Sequence, residues 1–494
     1  MVSLLPITRR DDMIIKKIYL ATSLALLAAS ANSFAETKTL EQLTKENEEL
    51  RQRLERLESL LTGKEKKHDE ETKVVKTTTN SSNEGYVRFN HAFSYEMLDP
   101  TTNINRKQQL LLERKKDGTL AEDVLYISAA ATPIVNYQKS NTESKFGYLM
   151  RHPTSANQRT ETVSEAAIHS AQFALTANLG EWTTAYIEML YDPQQSFGAG
   201  TTTDLNRNQV QVRQGYVMFG DLSQSPYYVS VGKMATPFGL TDTVNPFTAG
   251  TVWHAFGGLA YGINGGYLAN GWDINLMAIQ GGAQFRAHHV PVDGSAVPSK
   301  LNNFAFDINK TFGDKSSNVM VGASYTKGSA YCQGFPVVHF QPCAEANGAY
   351  DIYAQYNSKD WVVQFEYAQT EDKWPGTFNP AIPQFAASDV VSWNLGGKYK
   401  TESGGNPLHV SFDYSVFEAG PSGSPWEKQE QIVFGLASYL NDSTKLFAEI
   451  IRTEGYAPLN FISGGGGPNV GPGETHSDAD ASSTVLMIGA NVAF

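Results

Sequence analysis

An all-β fold, a transmembrane antiparallel β-barrel of about 16 strands with an N-terminal α-helical coiled coil, is what this sequence predicts. Three observations carry that expectation. The last twelve residues, Ser483 to Phe494, are apolar at every second position, Leu486, Ile488, Ala490, Val492 and Phe494; a period of two sets one face of a strand against lipid and the other against a lumen. Seven pairs of similar segments recur upstream, each pair joined by a short turn. After residue 35 no stretch reaches the ~18 to 20 continuous apolar residues of a spanning helix, so a membrane crossing falls to strands.

Export is legible at the amino end. Following Met13, an alternative start, come Lys16 and Lys17, an apolar run from Ile18 to Ala29, and the small-residue site Ser33-Phe34-Ala35. Basic, apolar and small segments in that order predict a signal peptide over 1–35. The chain has a net charge of −12. Removing the first 35 residues, with four basic and two acidic side chains, takes it to −14. That balance argues against nucleic acid as a partner. The 42 Gly, 25 Phe and 23 Tyr suit turns, strands and the aromatic belts of a barrel held in outer-membrane lipid.

Residues 36–62 read as a periplasmic coiled coil. Leu40, Leu43, Asn47, Leu50, Leu54, Leu57 and Leu61 follow an unbroken 3,4 spacing. In a parallel homo-oligomer formed through Leu40–Leu61, Glu46 faces Arg51 and Arg53 faces Glu58, both attractive pairs, and Asn47 fixes the register. The alternative is a lone amphipathic helix lying on the barrel. Residues 63–84, polar and charged, read as a flexible linker.

The paired segments are 165–179 with 181–191, 208–219 with 226–234, 259–268 with 270–280, 302–312 with 317–328, 348–357 with 360–371, 388–400 with 407–417, and 429–440 with 444–454. Trp272 and Trp361 stand just after turns and belong to the aromatic belt. Segment 483–494 supplies the last strand. For the first, 85–97 competes with 122–136; an even count admits one of them. Choosing 122–136 makes the barrel 122–494 and leaves 85–121 as a pre-barrel segment in the lumen or beneath the pore. All long connections then fall on the extracellular side, and a barrel of this size is expected to enclose a water-filled channel.

Polar alternates, Gln209, Gln211 and Arg213 on one strand, Asp351, Tyr353, Gln355 and Asn357 on a second, His409, Ser411 and Asp413 on a third, are expected to wet that channel. The segment Gly232–Gly258 is long, aromatic and ordered by Pro237 and Pro246, which suits a loop that folds inward to narrow the pore. Arg213, Lys233, Trp253, His254, Arg286, His288 and His289 are the candidate substrate-binding residues, their cations forming a path for an anionic solute. Adjacent histidines such as His288-His289 are usually solvated, so no metal site and no cofactor is expected. No arrangement of nucleophile, base and oxyanion donors stands out, and an enzyme is not the reading. Cys332 and Cys343, close in sequence within an oxidising compartment, most simply form a disulfide across one loop.

The heptad helix, Gly232-Lys233-Met234, the run Thr236 to Phe247, and Val252-Trp253-His254-Ala255-Phe256-Gly257-Gly258 resemble the legiobactin-receptor type of siderophore porin. His169-Ser170-Ala171-Gln172 and Gly180-Glu181-Trp182 are similar to it as well. The resemblance covers residues 40–61 and about 109–494. It implies a 16-stranded barrel with a periplasmic coiled coil that imports iron as a ferric polycarboxylate siderophore without a conventional plug domain. A relative of that family is associated with ferrous iron, and no motif assigns its binding residues. The wording Lys233-x-x-x-Pro237-Phe238-Gly239 is also similar to phosphate-type porins, so a phosphate or general anion-selective porin stands as the alternative.

Overall fold

A computed structural model describes residues 86–141, 161–192, 209–282, 297, 299–332, 345–374, 388–423, 427–455 and 479–494. All belong to the second of two units, Met1–Asn83 and Glu84–Phe494. The signal peptide, the coiled coil, the linker, Arg286, His288, His289 and Cys343 lie outside the described residues.

A two-residue strand β1 (Val87–Arg88) precedes helices α1 (His91–Leu98) and α2 (Lys107–Lys116). The barrel strands are β2 (Val124–Ser140), β3 (Thr162–Leu179), β4 (Thr183–Asp192), β5 (Gln209–Phe219), β6 (Tyr227–Ala235), β7 (Leu259–Ala269), β8 (Trp272–Gln280) and β9 (Leu301–Gly313). They continue as β10 (Ser317–Thr326), β11 (Ala349–Ser358), β12 (Trp361–Thr370), β13 (Val391–Ser403), β14 (Asn406–Glu418), β15 (Lys428–Asn441), β16 (Thr444–Gly455) and β17 (Ser482–Ala493). A third helix, α3 (Thr251–Phe256), lies in the connection from β6 to β7. Among the described residues, sixteen antiparallel strands pair with their sequence neighbours, and β17 pairs with β2 to close the ring. Closure removes every free edge. The competing first strand is settled by the same pairing: 122–136 falls in β2, whereas 85–97 holds only β1, which runs parallel to Leu125 and Tyr126, and most of α1.

Alternation does the work on the outer wall. Leu486 opposes Ile450, Ile450 opposes Phe434, and Phe434 opposes Phe412, all exposed, giving a continuous apolar band across β17, β16, β15 and β14. Trp182, Trp272 and Trp361 are exposed beside short turns, and Trp361 packs on Tyr399 with ring centroids 4.8 Å apart. These positions suit the interfacial belt that the sequence predicts. Among the described residues no helix is long and apolar enough to cross a membrane.

The interior departs from the expected water-filled channel. Beyond strand β1, whose Val87 is exposed, residues 91–116 pack against the inner wall as a two-helix insert. Asn90 caps α1 by accepting from the Phe93 N–H at 3.1 Å, and Arg114 ties α2 to α1 through two bonds to Glu96, each 2.7 Å. Phe93, Met97, Leu98, Leu110, Leu111 and Leu112 form one core with inward side chains of the wall, Tyr126, Tyr186, Tyr216, Met218, Tyr228, Met277 and Ile279. A sixteen-stranded ring is wide enough for water, but apolar inward residues favour contact with other apolar groups, and the insert supplies them.

Candidate functional site

The connection from β6 to β7 turns into the lumen, as its length and prolines predict. Gly239, at φ 71°, occupies the left-handed region that glycine tolerates, and its N–H donates to Ser324 Oγ at 2.9 Å. The Thr241 N–H donates to Glu366, and the Phe247 and Thr248 N–H groups donate to Glu449 Oε1 at 2.8 and 3.0 Å. Two wall carboxylates, one on β12 and one on β16, thus hold a loop that would otherwise leave buried amides unpaired. Beyond them α3 packs on β12, β13 and β14, with Thr251 Oγ1 donating to the Val416 carbonyl at 2.8 Å.

The insert is pinned by charge. Lys107 Nζ lies 2.6 Å from Glu188 Oε2, and Glu188 also accepts from Tyr186, Gln172 and Arg213. Burial pulls Lys107 below the ordinary lysine range, and attraction to Glu188 recovers only part of that. Arg106 pairs with Asp242 of the loop, and Asp242 Oδ1 accepts from the Ile104 N–H at 3.2 Å. Burial opposes the Arg106 charge, yet Asp242 outweighs it and holds the group above its usual value. Near the short-turn end, Lys445 Nζ lies 3.2 Å from Asp99 Oδ1. The same lysine shares a small pocket with Lys398 and His409.

The sequence-predicted residues divide. Arg213 is the extra residue of a β-bulge, where Glu188 opposes Gln214 and Met189 opposes Val212, and this turns it toward Glu188 at 3.4 Å. Lys233 is a correction. It occupies the outward register of β6, opposite Tyr261, with Nζ on the Val212 carbonyl at 2.9 Å and over the Tyr261 ring. That is a buried lysine held against the barrel's own backbone and an outward tyrosine ring rather than one lining a path for solute. Trp253 and His254 lie together on α3, rings edge to face at 4.7 Å, about the loop rather than beside Arg213. Arg286, His288 and His289 lie outside the described residues.

Sequence reasoning missed the lumen cations Lys398 and Lys445 and the insert residues Asp99, Arg106 and Lys107. Parity was the available signal: Lys398 shares the inward row of β13 with Ser392 and Asn394, and Lys445 that of β16 with Glu449 and Thr453. Another was the run of large apolar and aromatic side chains, Tyr186, Tyr216, Met218, Tyr228, Met277 and Ile279, among the polar lumen-facing residues of β4 to β8.

Fold and interior together define a channel-sized β-barrel whose lumen is occupied by its own chain. No family model matches the sequence. A UPF0422 protein of Coxiella burnetii is similar, 24% identical over 262 residues, which is 49% of this chain and 50% of that protein. The chain thus matches about half the length of this curated relative. Among solved structures it is similar to an anion-selective porin from Comamonas acidovorans, at 13% identity and TM-score 0.46 over 75% of this chain and 99% of that one. It is similar to the channel DcaP of Acinetobacter baumannii, at 10% identity and TM-score 0.45 over 74% and 97%. It is also similar to OprB of Pseudomonas putida, at 10% identity and TM-score 0.44 over 79% and 97%. Likeness at this level is one of general barrel shape and carries no argument about cargo.

Proposed function

We propose that this protein is an outer-membrane channel, not an enzyme, that imports iron as a ferric polycarboxylate siderophore and is closed at rest by its own insert and loop. The observation that carries the reading is the closed barrel itself: apolar and aromatic outside, charged inside, with the lumen filled by groups held through ion pairs and hydrogen bonds rather than by a separate plug domain. The resemblance of residues 232–258 to siderophore porins supports the cargo. Short turns then face the periplasm, where the coiled coil would gather copies of the chain, and the long loops face outward. A Cys332–Cys343 disulfide in one outer loop belongs to the same proposal, and the disulfide-bonded state of Cys332 supports it.

The alternative, a phosphate or general anion-selective porin, is favoured by Lys233-x-x-x-Pro237-Phe238-Gly239 at the entry of the inward loop. Uptake of radiolabelled iron, supplied as the ferric siderophore under iron limitation, separates the two in cells lacking the protein and in complemented cells. Loss and rescue of uptake are expected. Unchanged uptake, with steady anion-selective conductance in planar bilayers, would give the alternative precedence.

A further inference from the structure

We infer that Lys398, His409 and Lys445 form a binding site for a carboxylate-bearing anion, and that Asp99 of the insert occupies it in the closed state as a built-in competitor. The polycarboxylate class rests on the proposed function; the site rests on the following geometry.

Strands β13, β14 and β16 bring the three side chains to one pocket near the short-turn end, where Asp99, Thr101 and Asn245 complete its lining. Lys445, 1% exposed, meets the Asp99 carboxylate at 3.2 Å and Thr101 Oγ1 at 3.5 Å. Asp99 also accepts from Thr101 and Thr102, so one carboxylate is presented to the wall on a short, locally ordered turn of the insert. Lys398 lines the same pocket as Asp99 and makes no hydrogen bond or ion pair among the described residues. The buried Nδ1 of His409 has no hydrogen-bond partner there either. Within the pocket lining two wall lysines and an imidazole therefore meet one carboxylate, with Asp242 and Glu449 acting on the lysines from beyond it, and the donors there can take a second carboxylate.

Space points the same way. The pocket holds about 20 Å³, room for a water molecule or so. A polycarboxylate enters only by taking the place of Asp99, and that exchange removes the ion pair holding the turn between α1 and α2 against the wall. Binding and loosening of this end of the insert are then one event, because the cargo replaces one of the ion pairs, beside Lys107–Glu188 and Arg106–Asp242, that hold the insert in the lumen.

The test uses the full chain purified in detergent micelles, with citrate as the probe and heat-modifiable gel migration as the check of folding. Calorimetry should show citrate binding that tightens about tenfold in Asp99→Asn, which keeps the shape of the side chain and removes the competing charge. Lys398→Gln should weaken it about tenfold, and Lys398→Arg should restore most of it. Amide exchange in α1 should rise when citrate is added. Equal citrate affinity in wild type and folded Asp99→Asn would overturn the competition, as would citrate binding with no change in α1 exchange. Inorganic phosphate binding as tightly as citrate would overturn the carboxylate assignment. Should Asp99→Asn not fold, the Lys398 pair decides: citrate binding indifferent to Lys398→Gln removes the site. Iron uptake is scored separately, so citrate binding with the expected variant pattern but no siderophore uptake would leave the site standing and remove the transport reading.

Discussion

Two walls of the lumen treat charge differently. Along β4 to β12 the insert brings cations to carboxylates of the wall and the loop: Lys107 meets Glu188, and Arg106 meets loop Asp242 in front of Asp273, Asp307 and Glu366. At the short-turn end of β13 to β16 the signs reverse, and wall cations face a single insert carboxylate, Asp99. On the first wall the carboxylates that anchor are well supplied, as Asp307 shows by accepting from Ser324 at 2.7 Å and from Tyr353 at 2.9 Å, whereas neither oxygen of Asp351 has a hydrogen-bond partner among the described residues. The second is under-filled. Saturated buried charge such as Glu188 fixes structure, and under-filled positive charge is what an anionic ligand can use, so the hydrogen-bond completeness of each charged group separates anchor from site.

That contrast is sharpest where the expected effects are largest. Glu188→Ala leaves Lys107 and Arg213 inside the barrel without their shared partner, and should cost about 3–5 kcal/mol of barrel stability; urea unfolding followed by gel migration measures it. Asp242→Ala strands Arg106 and the Ile104 amide, with an expected loss of about 1–3 kcal/mol and faster amide exchange at 99–106. Gly239→Ala puts a side chain in the left-handed region beside Glu366, at a cost of about 1–2 kcal/mol; planar-bilayer recordings should show more frequent openings as the loop loosens. Lys398→Gln, on the under-filled wall, should change unfolding by no more than about 0.5 kcal/mol. A loss there as large as that of Glu188→Ala would erase the distinction between the walls.

Much of the barrel was readable because strand periodicity is local. The seven turn-joined pairs, the choice of 122–136 over 85–97, and the belt positions of Trp272 and Trp361 each need only a few neighbouring residues. The inward loop was readable too, from its length and from Pro237 and Pro246. The site was much less so. Lys233 looked like a pore cation because its motif is conspicuous, yet register placed it on the outer wall. Arg213, expected in the lumen from its alternation with Gln209 and Gln211, reaches it at a bulge that resets the parity for Tyr216 and Met218 beyond it. Lys398, Lys445 and Asp99 are ordinary residues in sequence, and the last two are 346 positions apart.

The sequence by itself determined a barrel of alternating strands, because pairing a strand with the next one in the chain needs only the period of two and a short turn. The tertiary structure alone decided that the lumen is filled, which carboxylate closes on which lysine, and which face Lys233 takes. Those outcomes depend on closing β17 onto β2 and on fitting the insert against apolar side chains from strands far apart in sequence. Such contacts are set by three-dimensional packing and the cost of leaving buried charge unpaired, and neither leaves a local mark on the chain.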